Sequence, residues 1–329
     1  MQYFFKRLLL SLCGALCAAV AHAAALPGPL VDTAWLAAHL NEVQVVDVRA
    51  RPKLYTAQPD FESDPATGKL KVTEAGGHIA GSRLIDMKTM RTERQVGALK
   101  VKFMIPEQAD FERAIQEAGI DAGKPIVLVP VGMEVNDIDD ALRVYWQFKM
   151  YGEDQLAVLD GGLAAWLDEN RPVSSEAAPA KKGSWRAQGE RSLRYFASTP
   201  DVAQAMARHS ATLVDSRDAR HFHGVVKRDY VGGYGHLEGA RLYPTELMMA
   251  NQGSALKFMP AASYRALFKA QDIDPSAPAI TYCNSGHLSS GTWFILSELL
   301  GNAHARLYDG SLHEWTLGGR PVVGALPQH

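Results

Sequence analysis

Five short patterns occur twice in this chain in the same order, and that duplication limits its fold more than any other feature. Val45-Val46-Asp47-Val48-Arg49 returns as Leu213-Val214-Asp215-Ser216-Arg217, and Gly77-His78-Ile79-Ala80-Gly81-Ser82 as Gly235-His236-Leu237-Glu238-Gly239-Ala240. Pro125 to Val129 returns as Pro278 to Tyr282. Leu159-Asp160-Gly161-Gly162 with Trp166 returns as Tyr308-Asp309-Gly310-Ser311 with Trp315, and Arg171-Pro172-Val173 as Arg320-Pro321-Val322. Any one match could be chance; five in order mark a duplicated domain. The offset shrinks from 168 to 158, 153 and 149 residues, so the first copy carries the longer connections.

Each copy alternates short β-branched runs with helical stretches. Strands are expected at Val43 to Val48, Ile126 to Val129 and Gln155 to Leu159, with helices at Glu107 to Gly119 and Ala141 to Tyr151. Their counterparts are strands at Thr212 to Asp215, Ile280 to Tyr282 and Ala305 to Tyr308, and helices at Ala261 to Gln271 and Ser289 to Leu300. Gly152 and Gly301 supply the helix stops. Continuous apolar strands alternating with helices predict an α/β fold, a mostly parallel sheet covered on both faces. A length of 329 residues suits two domains of about 150 each. We place the first at 24–173 and the second at 195–329. The stretch 174–194, rich in Ala, Ser, Lys and Gly, is the linker.

The first 23 residues read differently. Lys6 and Arg7 precede an apolar run from Leu8 to Ala21, and Ala21-His22-Ala23 provides small residues for signal-peptidase cleavage after Ala23. About 14 apolar residues fall short of the roughly 20 of a membrane span. Export to the periplasm or secretion is expected, with no stable membrane association after cleavage. Cleavage removes Cys13 and Cys17 and leaves Cys283 alone. An odd cysteine in an exported protein points to intermolecular pairing or a reactive thiol, against the alternative of a buried small hydrophobe.

The neighbourhood of Cys283 decides among these. Ile280 to Ser289 joins a strand to an amphipathic helix, at the carboxyl edge where α/β sheets bind ligands. The helix N-terminus stabilises a thiolate there, so more of it is nucleophilic at neutral pH. Gly286 lets successive loop N–H groups converge on one anion, thiolate or persulfide.

On these motifs the chain resembles the tandem-domain rhodaneses, the thiosulfate and 3-mercaptopyruvate sulfurtransferases. The resemblance is carried by both Asp-x-Arg strand ends, both Gly-His-(Ile/Leu)-x-Gly motifs, the Cys-x-x-Gly loop and both Asp-Gly…Trp closures. It implies two rhodanese-like domains, each a five-stranded parallel sheet flanked by helices. It also implies sulfur transfer through a Cys283 persulfide, from a small-molecule donor to a thiophilic acceptor. The first domain has no cysteine between residues 18 and 282 and cannot form a persulfide. Its loop, the Val129-Pro130-Val131 region, is expected to be about four residues longer before the helix.

Substrate contacts are expected from Arg217 and from Asn284, Ser285, Gly286, His287, Leu288 and Ser289. For Arg217 two readings stand: contact with an anionic donor, which the resemblance implies, or a structural pair with Asp215 or a loop carbonyl. His287 either serves the donor or leaving group or faces solvent. Asp215 reads as structural, and His236 as a structural hydrogen-bonder because its motif repeats in the first domain. Trp293, Phe294, Leu296 and Leu299 read as core. His221 and His223 make no zinc site, and neither metal nor organic cofactor is called for.

Asn284 and Ser285 stand where thiosulfate-specific members carry basic residues, and His221 replaces a second arginine. Local positive charge is therefore weaker than the resemblance leads one to expect. Thiosulfate is the first choice of donor on compartment grounds, with 3-mercaptopyruvate as the alternative. A phosphatase would need Arg six residues after the cysteine, where Ser289 stands. A non-catalytic persulfide carrier or binding protein remains the other reading. A net charge of -2 offers no global field for nucleic acid.

Overall fold

The computed structural model describes residues 25–65, 68–178 and 180–326; the expected signal segment lies outside them. In the first domain the elements run β1 (Leu30–Val31), α1 (Thr33–His39), β2 (Gln44–Arg49), β3 (Asp60–Ser63), β4 (Leu70–Glu74) and β5 (Arg83–Asp86). They continue through β6 (Thr92–Val96), β7 (Leu99–Met104), α2 (Gln108–Glu117), β8 (Ile126–Pro130), α3 (Val135–Met150), β9 (Leu156–Leu159) and α4 (Gly162–Asp168). A short α5 (Ser192–Tyr195) leads to the second domain: β10 (Phe196–Ala197), α6 (Thr199–Arg208), β11 (Thr212–Asp215), α7 (Ala219–Phe222), β12 (Arg241–Leu242), β13 (Ala250–Gln252) and β14 (Ala255–Lys257). It closes with α8 (Ala261–Ala270), β15 (Ala279–Tyr282), α9 (Leu288–Phe294), β16 (Ala305–Tyr308) and α10 (Ser311–Leu317).

Two five-stranded sheets result, ordered β1-β9-β8-β2-β5 and β10-β16-β15-β11-β12, and every pairing within them is parallel. Both match the α/β architecture expected from the repeats. The surplus length of the first copy lies partly in the β3–β4 hairpin, which has no counterpart in the second sheet's domain.

One expectation is corrected. The first-domain loop before the helix is residues 131–134, no longer than its counterpart at 283–287, and the four surplus residues lie in α3, which has 16 residues where α9 and the π-helical turn that continues it (Ile295–Leu299) have 12. Helix α3 starts at Val135 rather than Ala141 because Glu134 and Asp137 form a reciprocal capping box with each other's backbone. Every residue from Ile138 to Met150 is buried, including Asp139, Asp140, Arg143 and Gln147. A helix buried all round belongs inside a core. Here it packs on α9, with Tyr145 edge-on to Phe294 at 4.9 Å, so one apolar cluster runs through both domains.

The domains also exchange hairpins. After β6–β7 of the first, the Ile105 amide donates to Asp309 Oδ2 of the second at 2.8 Å. After β13–β14 of the second, the Phe258 amide donates to Asp160 Oδ1 of the first at 2.9 Å. The two aspartates are equivalent positions in the repeat, so the seam is built twice with one device. The intervening stretch lies along the first domain, where Trp185 is 1% exposed between Phe111 and Phe148 and its amide donates to the Ile120 carbonyl.

Candidate active site

Strands β11, β15 and β16 are adjacent and parallel, so their carboxyl ends bring Asp215 to Arg217, the Cys283 loop and Asp309 to Ser311 together. Cys283 is 2% exposed, and its Sγ accepts the Ser289 hydroxyl at 3.7 Å. Gly286 has φ +74; a Cβ there would lie 2.5 Å from the Asp309 carbonyl and 2.8 Å from Arg143 Nη1. Only glycine fits both that conformation and that gap.

Two of the loop amides expected to converge on an anion converge instead on a hydroxyl. Cys283 N donates to Ser311 Oγ at 3.1 Å and Gly286 N to the same oxygen at 3.0 Å. The Ser311 hydroxyl in turn donates to the Tyr308 carbonyl at 2.8 Å. Ser311 sits at φ +49, where its repeat partner Gly162 has φ +58. A serine in that backbone conformation is strained, and the strain places an oxygen where the glycine of the first copy has none. The substitution of Gly by Ser between copies was the sequence signal for this residue.

Arg217 takes the structural course. It is 1% exposed, with Nε and Nη2 on the Asp215 carboxylate and Nη2 also on the Gly235 carbonyl at 2.8 Å. Burial lowers its proton affinity, but Asp215 more than offsets this and raises it. The first domain repeats the arrangement with Arg49, Asp47 and the Gly77 carbonyl. The copies differ in one atom's use. Among the described residues Arg49 Nη1 has no hydrogen-bond partner, whereas Arg217 Nη1 donates to Asn284 Oδ1 at 3.3 Å and ties the strand end to the cysteine loop. The guanidinium is thus committed to protein oxygens, and the geometry does not favour donor contact by Arg217.

His236 follows the same logic. Its Nδ1 lies 2.8 Å from the Phe222 carbonyl with the ring stacked on Phe222. His78 lies 2.8 Å from the Tyr55 carbonyl, stacked on Tyr55. His221 is paired with Asp218, and no metal-binding cluster occurs among the described residues. Trp293, Phe294 and Leu296 are buried in the core, with Leu299 packed against it.

The rest of the loop is gripped from the first domain, by residues that sequence reasoning missed. Arg91 Nη2 donates to the Ser285 carbonyl at 2.6 Å and to Ser285 Oγ at 2.8 Å. Arg143 Nη1 donates to the Gly286 carbonyl at 2.9 Å while Nη2 pairs with Asp309. His287 Nε2 lies 2.8 Å from Asp140 Oδ1, so that histidine is neither free nor turned to solvent. Burial lowers its proton affinity, with Asp140 acting against the shift. Asp139 is 0% exposed and neither carboxyl oxygen has a well-aligned hydrogen bond among the described residues. Burial, then the nearby Cys283 and Asp140, push its carboxyl well above the usual range, against the Gly291 amide. A Cβ on Gly291 would lie 2.3 Å from Asp139 Oδ1, so that glycine admits the carboxyl to the seam. Leu288, at the first position of α9, is half-buried.

The site is therefore a buried sulfur in a loop cross-tied to both domains, with guanidinium groups on two sides. Such a setting holds the loop in one shape and shields the sulfur from water.

The rhodanese-like domain family matches residues 32–169 and 198–317. A thiosulfate sulfurtransferase of Bos taurus is 28% identical over 293 residues, covering 87% of this chain and 91% of its own. The sulfur carrier protein TtuD of Thermus thermophilus is 28% identical over 312 residues, covering 90% and 97%. Among solved structures, the 3-mercaptopyruvate sulfotransferase SseA of Escherichia coli superposes with a TM-score of 0.67 at 24% identity, covering 86% of this chain and 98% of that chain.

Proposed function

The chain belongs to the rhodanese-like family and is a sulfurtransferase, and from that premise we propose that it draws sulfane sulfur from thiosulfate onto Cys283. The observation that carries the assignment of the nucleophile is the Ser289 hydroxyl on Cys283 Sγ within a loop whose backbone is held at Cys283, Ser285 and Gly286. The thiolate attacks the outer sulfur of thiosulfate, the S–S bond of the donor breaks, and sulfite leaves with the bonding pair. A thiophilic acceptor such as cyanide then takes the terminal sulfur and returns the thiolate. Loop groups bonded in this way lose little freedom during the two transfers, which is how a fixed site contributes to rate.

The test is transfer from thiosulfate to cyanide by the wild-type protein and by Cys283→Ser, with the mass of the intact chain followed after donor alone. The wild-type chain gains one sulfur atom and turns over, and the variant does neither. Uptake from 3-mercaptopyruvate with none from thiosulfate would overturn the donor assignment. Export supports thiosulfate as the donor, since an exported enzyme can meet it. The N-terminal sequence of protein purified from the cell envelope or medium tests cleavage after Ala23, and a chain that retains Met1 in the cytoplasm contradicts it.

A further inference from the structure

Four arginines bear on the two strand-end loops, and three have a carboxylate. Arg49 is paired with Asp47, Arg143 with Asp309 and Arg217 with Asp215, each pair buried. Arg91 is the exception. Its Nε donates to the Phe103 carbonyl at 3.2 Å and its Nη2 to Ser285, all neutral oxygens, and among the described residues it forms no ion pair. Its guanidinium lies 4.9 Å from the Phe103 ring centre, and that ring meets Tyr230 at 5.0 Å. Phe103 itself sits at φ +68, a left-handed backbone that a phenylalanine adopts only when its surroundings enforce it.

A partly buried cation with only neutral partners is costly and would be cheaper as an apolar side chain. Burial and the facing Arg143 lower the Arg91 proton affinity to about 10, while Cys283, Asp309 and Tyr230 act the other way. The charge is thus retained at neutral pH in a place where the described residues supply no dedicated counter-ion. Arg217 has its own carboxylate, and Asn284 and Ser285 bring no charge. The positive charge that the loop lacks comes from the domain without a cysteine.

We propose that Arg91, reaching from the first domain onto the Cys283 loop, binds the anionic end of the sulfur donor and restricts donors to oxyanions. The inference rests on the sulfur-transfer reading for its substrate. It does not rest on that reading for the anion site itself. A planar guanidinium anchored through Nε and Nη2 presents its remaining edge to sulfonate or carboxylate oxygens.

Alkylation of Cys283 by iodoacetate and by iodoacetamide separates charge recognition from loop support, since the two reagents differ in charge. In Arg91→Gln, which can still donate to Ser285, the iodoacetate rate falls about 10-fold or more relative to iodoacetamide. The KM for thiosulfate rises about 10- to 100-fold with kcat changed far less, and Arg91→Lys recovers part of both. An unchanged ratio in Arg91→Gln, or an equal loss with both reagents, would overturn the proposal. Should the glutamine variant not fold, protection of wild-type Cys283 from iodoacetamide by sulfite supplies the test. No protection, or protection that survives in Arg91→Lys without any loss of affinity, counts against it. A wild-type protein that prefers iodoacetate yet takes no sulfur from thiosulfate would retire the donor and leave the anion site standing.

Discussion

Arg143 of the first domain is ion-paired with Asp309 of the second, both side chains wholly buried, and the same guanidinium holds the carbonyl of Gly286 three residues beyond Cys283. The reactive loop is therefore shaped by a residue 140 positions upstream. Asp160 is the equivalent of Asp309 in the repeat, and among the described residues its side chain accepts one hydrogen bond, from the Phe258 amide. One aspartate carries a salt bridge and a loop, the other a single hydrogen bond.

That asymmetry gives unequal costs. Asp309→Asn leaves Arg143 buried and unpaired and destabilises the protein by about 3–5 kcal/mol. Asp160→Asn costs about 1 kcal/mol. Urea denaturation of the two variants measures both, and equal losses would mean that Arg143 does not depend on Asp309.

Ser311→Gly restores the residue of the first copy at a backbone position glycine accepts readily. It removes the oxygen that receives the Cys283 and Gly286 amides. Sulfur transfer is expected to fall at least about 10-fold while stability changes by less than about 1 kcal/mol, because relief of strain offsets the lost bonds. A variant with full activity would show that the loop holds its shape without this oxygen.

Asp139 binds its proton more tightly in the folded chain than in the unfolded one, chiefly because it is buried. Unfolded aspartate ionises near pH 3.9, so the native state is progressively disfavoured as pH rises above that value. Asp139→Asn has no such charge. It should stabilise the protein by about 1–3 kcal/mol at pH 7 and by little at pH 4. A stability difference independent of pH would show that Asp139 is ionised in the fold.

His287 has the opposite sign. Burial lowers its folded proton affinity below that of an unfolded histidine, near pH 6.5, so its contribution is complete above that pH and is lost as pH falls below it. The stability gap between wild type and His287→Gln should shrink from pH 7.5 to 5.5, by at most about 1.4 kcal/mol per pH unit. A gap that widens on acidification would mean that Asp140 holds a charged imidazolium.

Much of the molecule was legible in sequence because it is encoded by local repetition. The paired Asp-x-Arg motifs announce two equivalent strand ends, and the paired Gly-His motifs announce the structural hydrogen bonds of His78 and His236. Glu134 is an unusual cap, so apolar periodicity starts α3 at Ala141, six residues late, and leaves Asp139 and Asp140 off it. Arg91 sits 194 positions from Ser285, and Arg143 is 143 from Gly286. No periodicity or motif spacing reports a contact at that separation.

By itself the sequence determined the duplication, the parallel α/β units, and the half that could carry sulfur, since one loop has Cys283 and the other has none. Those follow from strand and helix periods and from the presence of a thiol, which are properties of neighbouring residues. Tertiary structure alone decided which charges serve that thiol. The packing of α3 on α9 brings Asp139, Asp140 and Arg143 to the loop, and the β6–β7 side of the first domain brings Arg91. Burial then acts on each according to its partners: it locks Arg217 onto Asp215, raises the proton affinity of Asp139, and leaves Arg91 a cation whose hydrogen-bond partners are neutral oxygens.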